Sequence, residues 1–217
     1  MIFLREYFDE RSAVAGYMRR LYEKGLTTSL SGNISSRTGD IVLITPAGTD
    51  KGRLSPEDIG IISMGGENLT PEIKLSIETE MHLSVMRNRP DISAVIHAHP
   101  TIATFFTAVD FDIKMFTSES LAVLGTPLKV PFADAGTKEL AYSVSQAALK
   151  SDVVLMENHG ILTVGKNLPE AFNKVEVFES TAKMNWIARS FAGSLNDWSD
   201  IKTIGKASET NKQVDIL

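Results

Sequence analysis

The sequence alternates between helical and strand periodicities along most of its length, and this alternation limits the folds that are open to it. Apolar residues recur every three or four positions from Leu4 to Leu26, whereas the run Ile41-Val42-Leu43-Ile44 is typical of a buried strand. Similar patterns follow each other as far as Phe191, with turn residues such as Thr38-Gly39-Asp40 between some of them. We therefore predict an α/β protein whose mixed or antiparallel sheet is covered by helices.

The positions of the later elements follow from the same patterns. We predict helices over residues 76–89, 137–149 and 168–191, and strands over residues 94–99, 129–130, 153–156 and 161–164. A helical turn is expected at Ser55-Pro56-Glu57-Asp58, where an N-cap residue precedes proline, and a strand then runs to Ile62. Because the chain contains no repeat and no linker, residues 1–217 are predicted to form one domain with a polar C-terminal tail from about residue 193.

The amino-acid composition excludes several classes of protein. With 22 basic and 27 acidic residues the net charge is −5, so the chain offers no broad basic surface to nucleic acid. Cysteine is absent, which excludes disulfides and thiolate zinc sites and leaves histidine and carboxylates as metal ligands. Charges at Arg5 and Glu6 come too early for a secretory signal, and no apolar stretch approaches the ~18 residues of a membrane span. We expect a cytoplasmic protein that binds neither membranes nor nucleic acid.

Three of the four histidines follow predicted strands. His97 and His99 are two residues apart at the end of one strand, a spacing that directs both imidazoles to the same face. His159 follows another strand, in the turn Asn158-His159-Gly160. Three neutral imidazoles that converge from strand ends form a zinc-type site with an open coordination position. The spacing leaves open the alternative that these histidines only form hydrogen bonds in the core.

Two carboxylates lie near the start of the helix that is predicted from Ser76. Glu78 is in the first turn of this helix, and His82 follows four residues later on the same face. A carboxylate beside a metal serves as a ligand, as a general base or as both in succession. Glu80 fits an ordinary first-turn position equally well, and spacing alone does not separate it from Glu78. We expect His82 to pack behind Glu78 and orient it, and not to be a fourth imidazole ligand.

Turns of small residues lie at the ends of three predicted elements. They are Ser31-Gly32-Asn33, Thr45-Pro46-Ala47-Gly48 and the turn at Ser76. Free backbone N–H groups and hydroxyls at such turns bind phosphate groups. Because turns of this kind are common, each is on its own only a weak indication of a ligand site.

Five motifs, taken in order and with their spacing, resemble the class II aldolase/adducin family. They are Ser31-Gly32-Asn33-Ile34-Ser35, Thr45-Pro46-Ala47-Gly48, Ser76-Ile77-Glu78 with His82, Val95-Ile96-His97-Ala98-His99 and Glu157-Asn158-His159-Gly160. The similarity extends from about residue 5 to residue 190 and includes Gly136-Thr137-Lys138-Glu139-Leu140. The resemblance selects Glu78 over Glu80, because the family's catalytic glutamate precedes its first histidine ligand by the 19 positions that separate Glu78 from His97.

The resemblance implies a three-layer αβα fold around a largely antiparallel sheet, in a homotetramer with active sites at subunit interfaces. It implies that zinc is bound by His97, His99 and His159, with Glu78 as a further ligand in the resting state and as the proton-transferring residue in catalysis. Manganese or cobalt also suits three imidazoles and one carboxylate. The substrate phosphate would be surrounded by Gly32, Asn33, Ala47, Gly48, Ser76 and Ile77.

The activity that the resemblance implies is cleavage of a small ketose 1-phosphate such as L-fuculose 1-phosphate. Breaking the C3–C4 bond releases an aldehyde and leaves the enediolate of dihydroxyacetone phosphate, whose charge requires a Lewis acid. A sugar-phosphate dehydratase or a ribulose-phosphate 4-epimerase would use the same scaffold, although the epimerases usually carry aspartate in place of Glu78. The remaining alternative is a non-catalytic adducin-like interaction domain, but such domains lack the full set of histidines.

The chain departs from the family pattern at positions that would contact the substrate. Ile77 replaces a serine of the usual phosphate pocket, and Ala47 stands where threonine is common. In one enzyme of the family a neighbouring subunit contributes a tyrosine from the segment that matches residues 115–118, and this chain has none there. A C-terminal tyrosine of that enzyme also has no match after Phe191. The sequence therefore assigns no donor of a proton to the aldehyde oxygen.

Overall fold

A central sheet separates two layers of helices in the computed structural model, which describes residues 7–192. The helices are α1 (Phe8–Glu23), α2 (Thr79–Asn88), α3 (Thr101–Thr107), α4 (Ser118–Leu124), α5 (Lys138–Ala148) and α6 (Leu168–Ala192). The strands are β1 (Asn33–Thr38), β2 (Ile41–Ile44), β3 (Gly60–Ser63), β4 (Ala94–Ala98), β5 (Leu128–Val130), β6 (Val153–Met156) and β7 (Gly160–Gly165). The polar tail predicted from about residue 193 lies outside the described residues, and none of the helices described is long and apolar enough to cross a bilayer.

Within residues 7–192 the seven strands form one sheet in the order β3-β2-β1-β4-β7-β6-β5. Every neighbouring pair is antiparallel except β5 and β6, which run parallel. The prediction of a three-layer αβα fold around a largely antiparallel sheet is therefore confirmed. β4 lies at the centre of the sheet, so the histidines at its end are flanked by β1 on one side and β7 on the other.

Alternate residues of the strands face opposite helical layers, as the two-residue period of a strand requires. Ile34 of β1 and Ile96 of β4 belong to the core cluster shared with α1, α3 and α6, whereas Val42 of β2 and Val95 of β4 belong to the cluster shared with α2 and α5. All four side chains are fully buried. Burial of one such side chain contributes roughly 1.5–3 kcal/mol, so the two apolar faces of the sheet hold the helical layers in place.

The beginnings of two helices differ from the sequence prediction. α2 begins at Thr79 instead of Ser76, and Glu78 is its N-cap, with φ −95° and ψ 13°, instead of a first-turn residue. The carbonyl of Ser76 accepts hydrogen bonds from the N–H and the hydroxyl of Thr79, which forms a turn ahead of the helix. α1 begins at Phe8, and residues 4–6 of the predicted first helix lie outside the described residues.

Two further helices, α3 and α4, follow β4 and were missed by the sequence prediction. α3 contains β-branched and aromatic residues that favour strands, and its 7 residues are too few to show a helical period. Its first turn is stabilised by α6, because the carboxylate of Glu179 accepts hydrogen bonds from the N–H groups of Ile102 (3.4 Å) and Ala103 (2.8 Å). This cap comes from a residue far away in the sequence, so only the folded chain reveals it.

The substitution Phe178→Ala tests how strongly α6 is held against the sheet. Phe178 is fully buried in the cluster shared with α1 and α3, and removal of its ring leaves a cavity. We expect the free energy of unfolding to fall by about 3–5 kcal/mol, measured by urea unfolding at one fixed protein concentration. Leu30→Ala is the control, because Leu30 is 63% exposed and its loss should cost less than about 0.5 kcal/mol. Equal losses in the two variants would contradict the packing assigned to α6.

Candidate metal centre and active site

The three histidines predicted to converge do come together at one edge of the sheet. His97 is the penultimate residue of β4, and His99 follows that strand directly. His159 lies in the turn between β6 and β7. The Nε2 atoms of His97 and His99 are 2.9 Å apart, and potential ligand atoms of the three residues all lie within 4.8 Å of one another. The strand-end spacing therefore predicted a real cluster of imidazoles.

The turn before β7 depends on two special residues. Asn158 adopts the left-handed conformation with φ 53°, and the N–H of His159 donates a hydrogen bond to the carbonyl of Met156 at 3.1 Å. The next residue is Gly160, where a β-carbon would lie 2.4 Å from His99 Cδ2 and 2.7 Å from the carbonyl oxygen of Ala98. Only glycine allows the turn to approach the imidazoles this closely.

The imidazole of His97 is held in one protonation state. Its Nδ1–H donates to the carbonyl of Ile161 at 2.9 Å, so the lone pair of Nε2 is directed into the cluster. Burial and then the like charge of a protonated His159 lower the pKa of His97 to about 3, against the opposing effect of the hydrogen bond to Ile161. Burial likewise lowers the pKa of His99 to about 3, together with the charges that the other two imidazoles would carry. Both rings are therefore neutral near pH 7, as metal ligation requires.

Glu78 lies against the same cluster, and the structure separates it clearly from Glu80. The Oε2 atom of Glu78 is 3.4 Å from His97 Nε2, and its Oε1 atom is 3.4 Å from His159 Nε2. Glu80 instead points away from the sheet and accepts a hydrogen bond from Arg87 at 2.7 Å. Glu78 is buried, and its Oε1 atom has no hydrogen-bond partner among the described residues.

These distances suit a divalent metal. Ligand atoms about 2.0–2.1 Å from a tetrahedral zinc ion lie about 3.3 Å from one another. Three of the separations above are between 2.9 and 3.4 Å, and the histidine ligand atoms are all within 4.8 Å of one another. A buried carboxylate oxygen without a partner is costly, and a bound cation would satisfy it. The donor set of neutral imidazoles and one carboxylate therefore fits the metal that the sequence predicted.

His82 lies behind Glu78, but it does not touch the carboxylate directly. Its Nδ1 atom is 2.6 Å from Ser35 Oγ and its Nε2 atom is 2.6 Å from Asn33 Oδ1, while Asn33 Nδ2 donates to Glu78 Oε2 at 2.7 Å. Both ring nitrogens of His82 are thus occupied by protein groups. The link between His82 and Glu78 therefore runs through an amide.

The turns predicted to bind phosphate adjoin this centre. The carbonyl of Ile34 accepts a hydrogen bond from the N–H of Thr45 (3.1 Å), and the carbonyl of Lys74 accepts one from the N–H of Ala47 (2.8 Å). These bonds join the turns at residues 31–33, 45–48 and 74–78 at one end of the sheet. Gly32 has φ 71°, and a β-carbon there would lie 3.0 Å from the carbonyl oxygen of His97.

The six residues predicted to surround a phosphate differ in whether their hydrogen-bond donors are already used within the protein. Among residues 7–192, no group accepts a hydrogen bond from the backbone N–H of Gly32, Gly48 or Ile77. The N–H of Ala47 is already donated to Lys74, and the hydroxyl oxygen of Ser76 accepts a bond from the N–H of Glu78 at 3.3 Å. The Asn33 amide serves Glu78 and His82, which leaves one of its N–H hydrogens for a ligand.

Lys51 is a buried residue of this region that the sequence did not reveal. It is only 2% exposed, its ammonium donates a hydrogen bond to the carbonyl of Pro46, and its own N–H donates to Ser29 at 2.8 Å. Burial lowers the pKa of Lys51 to about 8. Lys51 therefore ties together the two turns that contain Gly32 and Gly48. It lies in a polar segment, where lysine is normally solvated, so no sequence signal distinguished it.

Three hydroxyl-bearing residues have defined surroundings in the described part of the chain. Tyr17 packs edge-on against Phe172, and Tyr142 is exposed on α5. Thr117, in the segment where one family member carries a tyrosine, accepts a hydrogen bond from the N–H of Ser120 as the N-cap of α4.

The fold and this cluster together define a class of protein. The chain belongs to the family described as Class II Aldolase and Adducin N-terminal domain, whose profile matches residues 12–186. Class II aldolases use a divalent metal, and the protein is accordingly an enzyme of the lyase class. The alternative of a non-catalytic interaction domain is therefore not supported.

Individual relatives differ in the reaction that their names describe. An L-fuculose phosphate aldolase of Methanococcus maripaludis is 37% identical over 169 residues, which cover 78% of this chain and 92% of that protein. A 5-deoxy-D-ribulose 1-phosphate aldolase of Bacillus thuringiensis is 31% identical over 83% of this chain and 86% of its own. A 3-oxo-tetronate 4-phosphate decarboxylase of Haemophilus influenzae is 34% identical over 76% of this chain and 81% of its own. A solved L-fuculose 1-phosphate aldolase has a TM-score of 0.82 and 32% identity, with 91% of each chain covered.

The substitution Gly160→Ala tests the close approach of the β6–β7 turn to the histidines. The added methyl group would overlap His99 and displace its ring, so we expect affinity for zinc to fall about 10–100-fold. Isothermal titration calorimetry of the metal-free protein with zinc measures this change in affinity. Gly16→Ala in α1 is the matched control, because the nearest atom to its β-carbon is 3.8 Å away. Unchanged zinc affinity in Gly160→Ala would contradict the geometry of the turn.

Proposed function

We propose that the protein is a zinc-dependent aldolase that cleaves a small ketose 1-phosphate, such as L-fuculose 1-phosphate, into dihydroxyacetone phosphate and an aldehyde. The observation that carries this proposal is the group of three imidazoles beside one buried carboxylate. One oxygen of that carboxylate has no hydrogen-bond partner among the described residues. The two aldolases that were compared by sequence above are named for L-fuculose phosphate and for 5-deoxy-D-ribulose 1-phosphate. Manganese or cobalt would suit the same ligands.

His97, His99 and His159 would hold the metal, and Glu78 would complete its ligands when no substrate is bound. The metal would supply a Lewis acid for the negative charge that develops when a bond next to a carbonyl breaks. The protein's own contribution is a carboxylate that is close to the reacting carbon and shielded from water. Glu78 would move the proton to or from that carbon with its free Oε1 atom, while Oε2 stays bound to Asn33.

The substrate phosphate would be bound mainly by backbone groups. The unpaired N–H groups of Gly32, Gly48 and Ile77 resemble the amide clusters that hold anions in other proteins. The hydroxyl hydrogen of Ser76 and the remaining N–H of Asn33 would add side-chain donors, whereas Ala47 would contribute only shape. Ile77 places an exposed apolar side chain, 63% accessible, where the family more often has a serine.

A homotetramer with active sites between subunits fits the surface of the chain. Large apolar side chains remain exposed on the single chain, and a large exposed apolar surface favours association between subunits. They include Phe105, Leu121, Phe132, Tyr142 and Trp186. A cytoplasmic location is consistent with a metabolic enzyme of this family, and we retain it as part of the proposal.

Decarboxylation is the second candidate reaction, because one relative at 34% identity is named as a 3-oxo-tetronate 4-phosphate decarboxylase. Loss of carbon dioxide from a 3-oxo acid also leaves negative charge next to a carbonyl, so it needs the same Lewis acid and the same anion site. Dehydration and 4-epimerisation on this scaffold stay the alternatives that the sequence leaves open. The experiment addresses the two carbon–carbon cleavages that the names of the relatives describe.

The reaction is tested by supplying zinc-loaded protein with a panel of phosphorylated substrates. The panel contains the 1-phosphates of L-fuculose, L-rhamnulose, 5-deoxyribulose and methylthioribulose, together with 3-oxo-tetronate 4-phosphate. We expect dihydroxyacetone phosphate to be released from at least one ketose 1-phosphate, measured with a coupled reductase. Release of carbon dioxide together with dihydroxyacetone phosphate from 3-oxo-tetronate 4-phosphate, with no product from any ketose 1-phosphate, would establish the decarboxylase instead. No product from any substrate, at one zinc per chain, would reject both carbon–carbon cleavages.

The substitution Glu78→Gln tests the role of the carboxylate in proton transfer. The three imidazoles remain, so we expect zinc to be retained, while kcat falls by about 10²–10⁴-fold because the amide cannot accept the proton. Metal analysis and steady-state kinetics are measured on the same preparation. Glu80→Gln, two residues away on the outer surface, is the matched control and should keep parental kcat. An active Glu78→Gln enzyme would remove the proton-transfer role from Glu78.

A further inference from the structure

We infer that His82 is a positioning residue, which acts through the amide of Asn33 to fix one oxygen of Glu78 and leave the other free for chemistry. This inference rests on the proposed function, because it concerns the residue that would carry the proton. It assigns a role in turnover to a histidine that is not placed among the metal ligands. The evidence is a chain of three hydrogen bonds whose directions are all determined.

The chain begins at Ser35 and ends at Glu78. A carboxylate accepts hydrogen bonds, so Asn33 must direct its NH₂ group to Glu78 Oε2, at 2.7 Å. The carbonyl oxygen of the same amide then faces His82 Nε2, which must carry a hydrogen to donate across 2.6 Å. His82 Nδ1 therefore carries a lone pair, and the hydroxyl of Ser35 donates to it at 2.6 Å.

Burial makes this arrangement the only satisfactory one. His82 and Ser35 are fully buried, and Asn33 is 5% exposed, so water cannot replace a lost partner. Turning the Asn33 amide over would set its carbonyl oxygen against the carboxylate and its NH₂ group against the N–H of His82. Each unsatisfied polar group in such a place costs about 1–3 kcal/mol. His82 therefore locks the amide in the orientation that holds Glu78.

The protonation state of His82 also stays constant. Burial is the main cause that lowers the pKa of His82 to about 3, while Glu78 raises it and the like charge of a protonated His97 lowers it. The ring is therefore neutral near pH 7. The donor at Nε2 and the acceptor at Nδ1 are therefore retained, and the three bonds keep their directions.

Two regular elements supply the four members of the chain. Asn33 and Ser35 are two residues apart in β1, so both side chains lie on one face of the sheet. Glu78 and His82 are four residues apart at the start of α2, so they lie one turn apart on the helix. β1 pairs with β4 in a register that sets Asn33 opposite His97, which brings the amide next to the metal centre.

Two substitutions of His82 separate positioning from mere packing. In His82→Gln the terminal amide nitrogen reaches the position of Nε2 and still donates to Asn33. In His82→Asn the shorter side chain keeps an acceptor for Ser35 at the position of Nδ1, but nothing reaches Asn33. Both variants bury one amide of similar size in the same site, so each serves as the structural control for the other.

We expect His82→Asn to lower kcat about 10–100-fold while KM and zinc content stay at parental values. His82→Gln should retain kcat within about fivefold of the parent, because the bond to Asn33 is kept. Melting temperatures of the two variants show whether they are comparably folded. Equal kcat values in the two variants, whether both are parental or both are impaired, would overturn the inference.

A second measurement on the parent protein does not depend on turnover. With only 4 histidines in the chain, ¹⁵N-labelled histidine gives few signals, and His82 should show a protonated Nε2 and an unprotonated Nδ1. The side-chain amide signal of Asn33 should shift in Glu78→Gln and in His82→Asn. A His82 protonated at Nδ1 would overturn the inference even if both variants fail to fold. Absence of turnover by the parent, with the expected signals present, would reject the proposed function and leave the hydrogen-bond chain established.

Discussion

The pairing of β4 with β1 on one side and with β7 on the other determines where every functional group lies. The register that sets Asn33 opposite His97 brings an amide beside the first imidazole, and the register that sets Ala98 opposite Ile161 brings the β6–β7 turn and His159 to the same edge. Strands in the middle of a sheet are held by hydrogen bonds along both edges, and their flanking helices bury both faces. The end of β4 is therefore a rigid position for a site that needs narrow tolerances.

Burial gives this centre its chemical character. Taking imidazoles and a carboxylate out of water is unfavourable, and several groups here are supported by a defined partner: Ile161 for His97, Asn33 for Glu78 and His82 for Asn33. Within this centre, the buried oxygen that lacks a partner among the described residues belongs to Glu78. The centre thus concentrates its unsatisfied bonding capacity at the point where a cation and a reacting carbon would meet. The side proposed to bind phosphate differs, because it offers backbone N–H groups, and ordering these groups requires no loss of side-chain entropy.

Sequence patterns predicted the functional groups better than they predicted their neighbours. The histidines were found because strand endings are visible as apolar runs stopped by Pro100 or by a turn, and the end of a strand directs side chains to a predictable edge. Glu78 was assigned by resemblance to a family, because spacing alone did not separate it from Glu80, and the predicted start of its helix was wrong by three residues. α3 was missed because its N-terminal cap is Glu179, and Lys51 was missed because a lysine in a polar segment carries no sign of burial.

The sequence by itself determined the layered fold, the three histidines that come together and the family, because periodicity, turn residues and motif order are all local properties of the chain. Tertiary structure alone decided which atoms meet. Asn33 was expected on the phosphate, and the folded chain instead directs its amide to Glu78 and His82, leaving a single N–H for a ligand. Such a choice depends on distances between elements 45 and 49 residues apart in the chain, and on which competing partners are buried there with them. No local pattern carries that information.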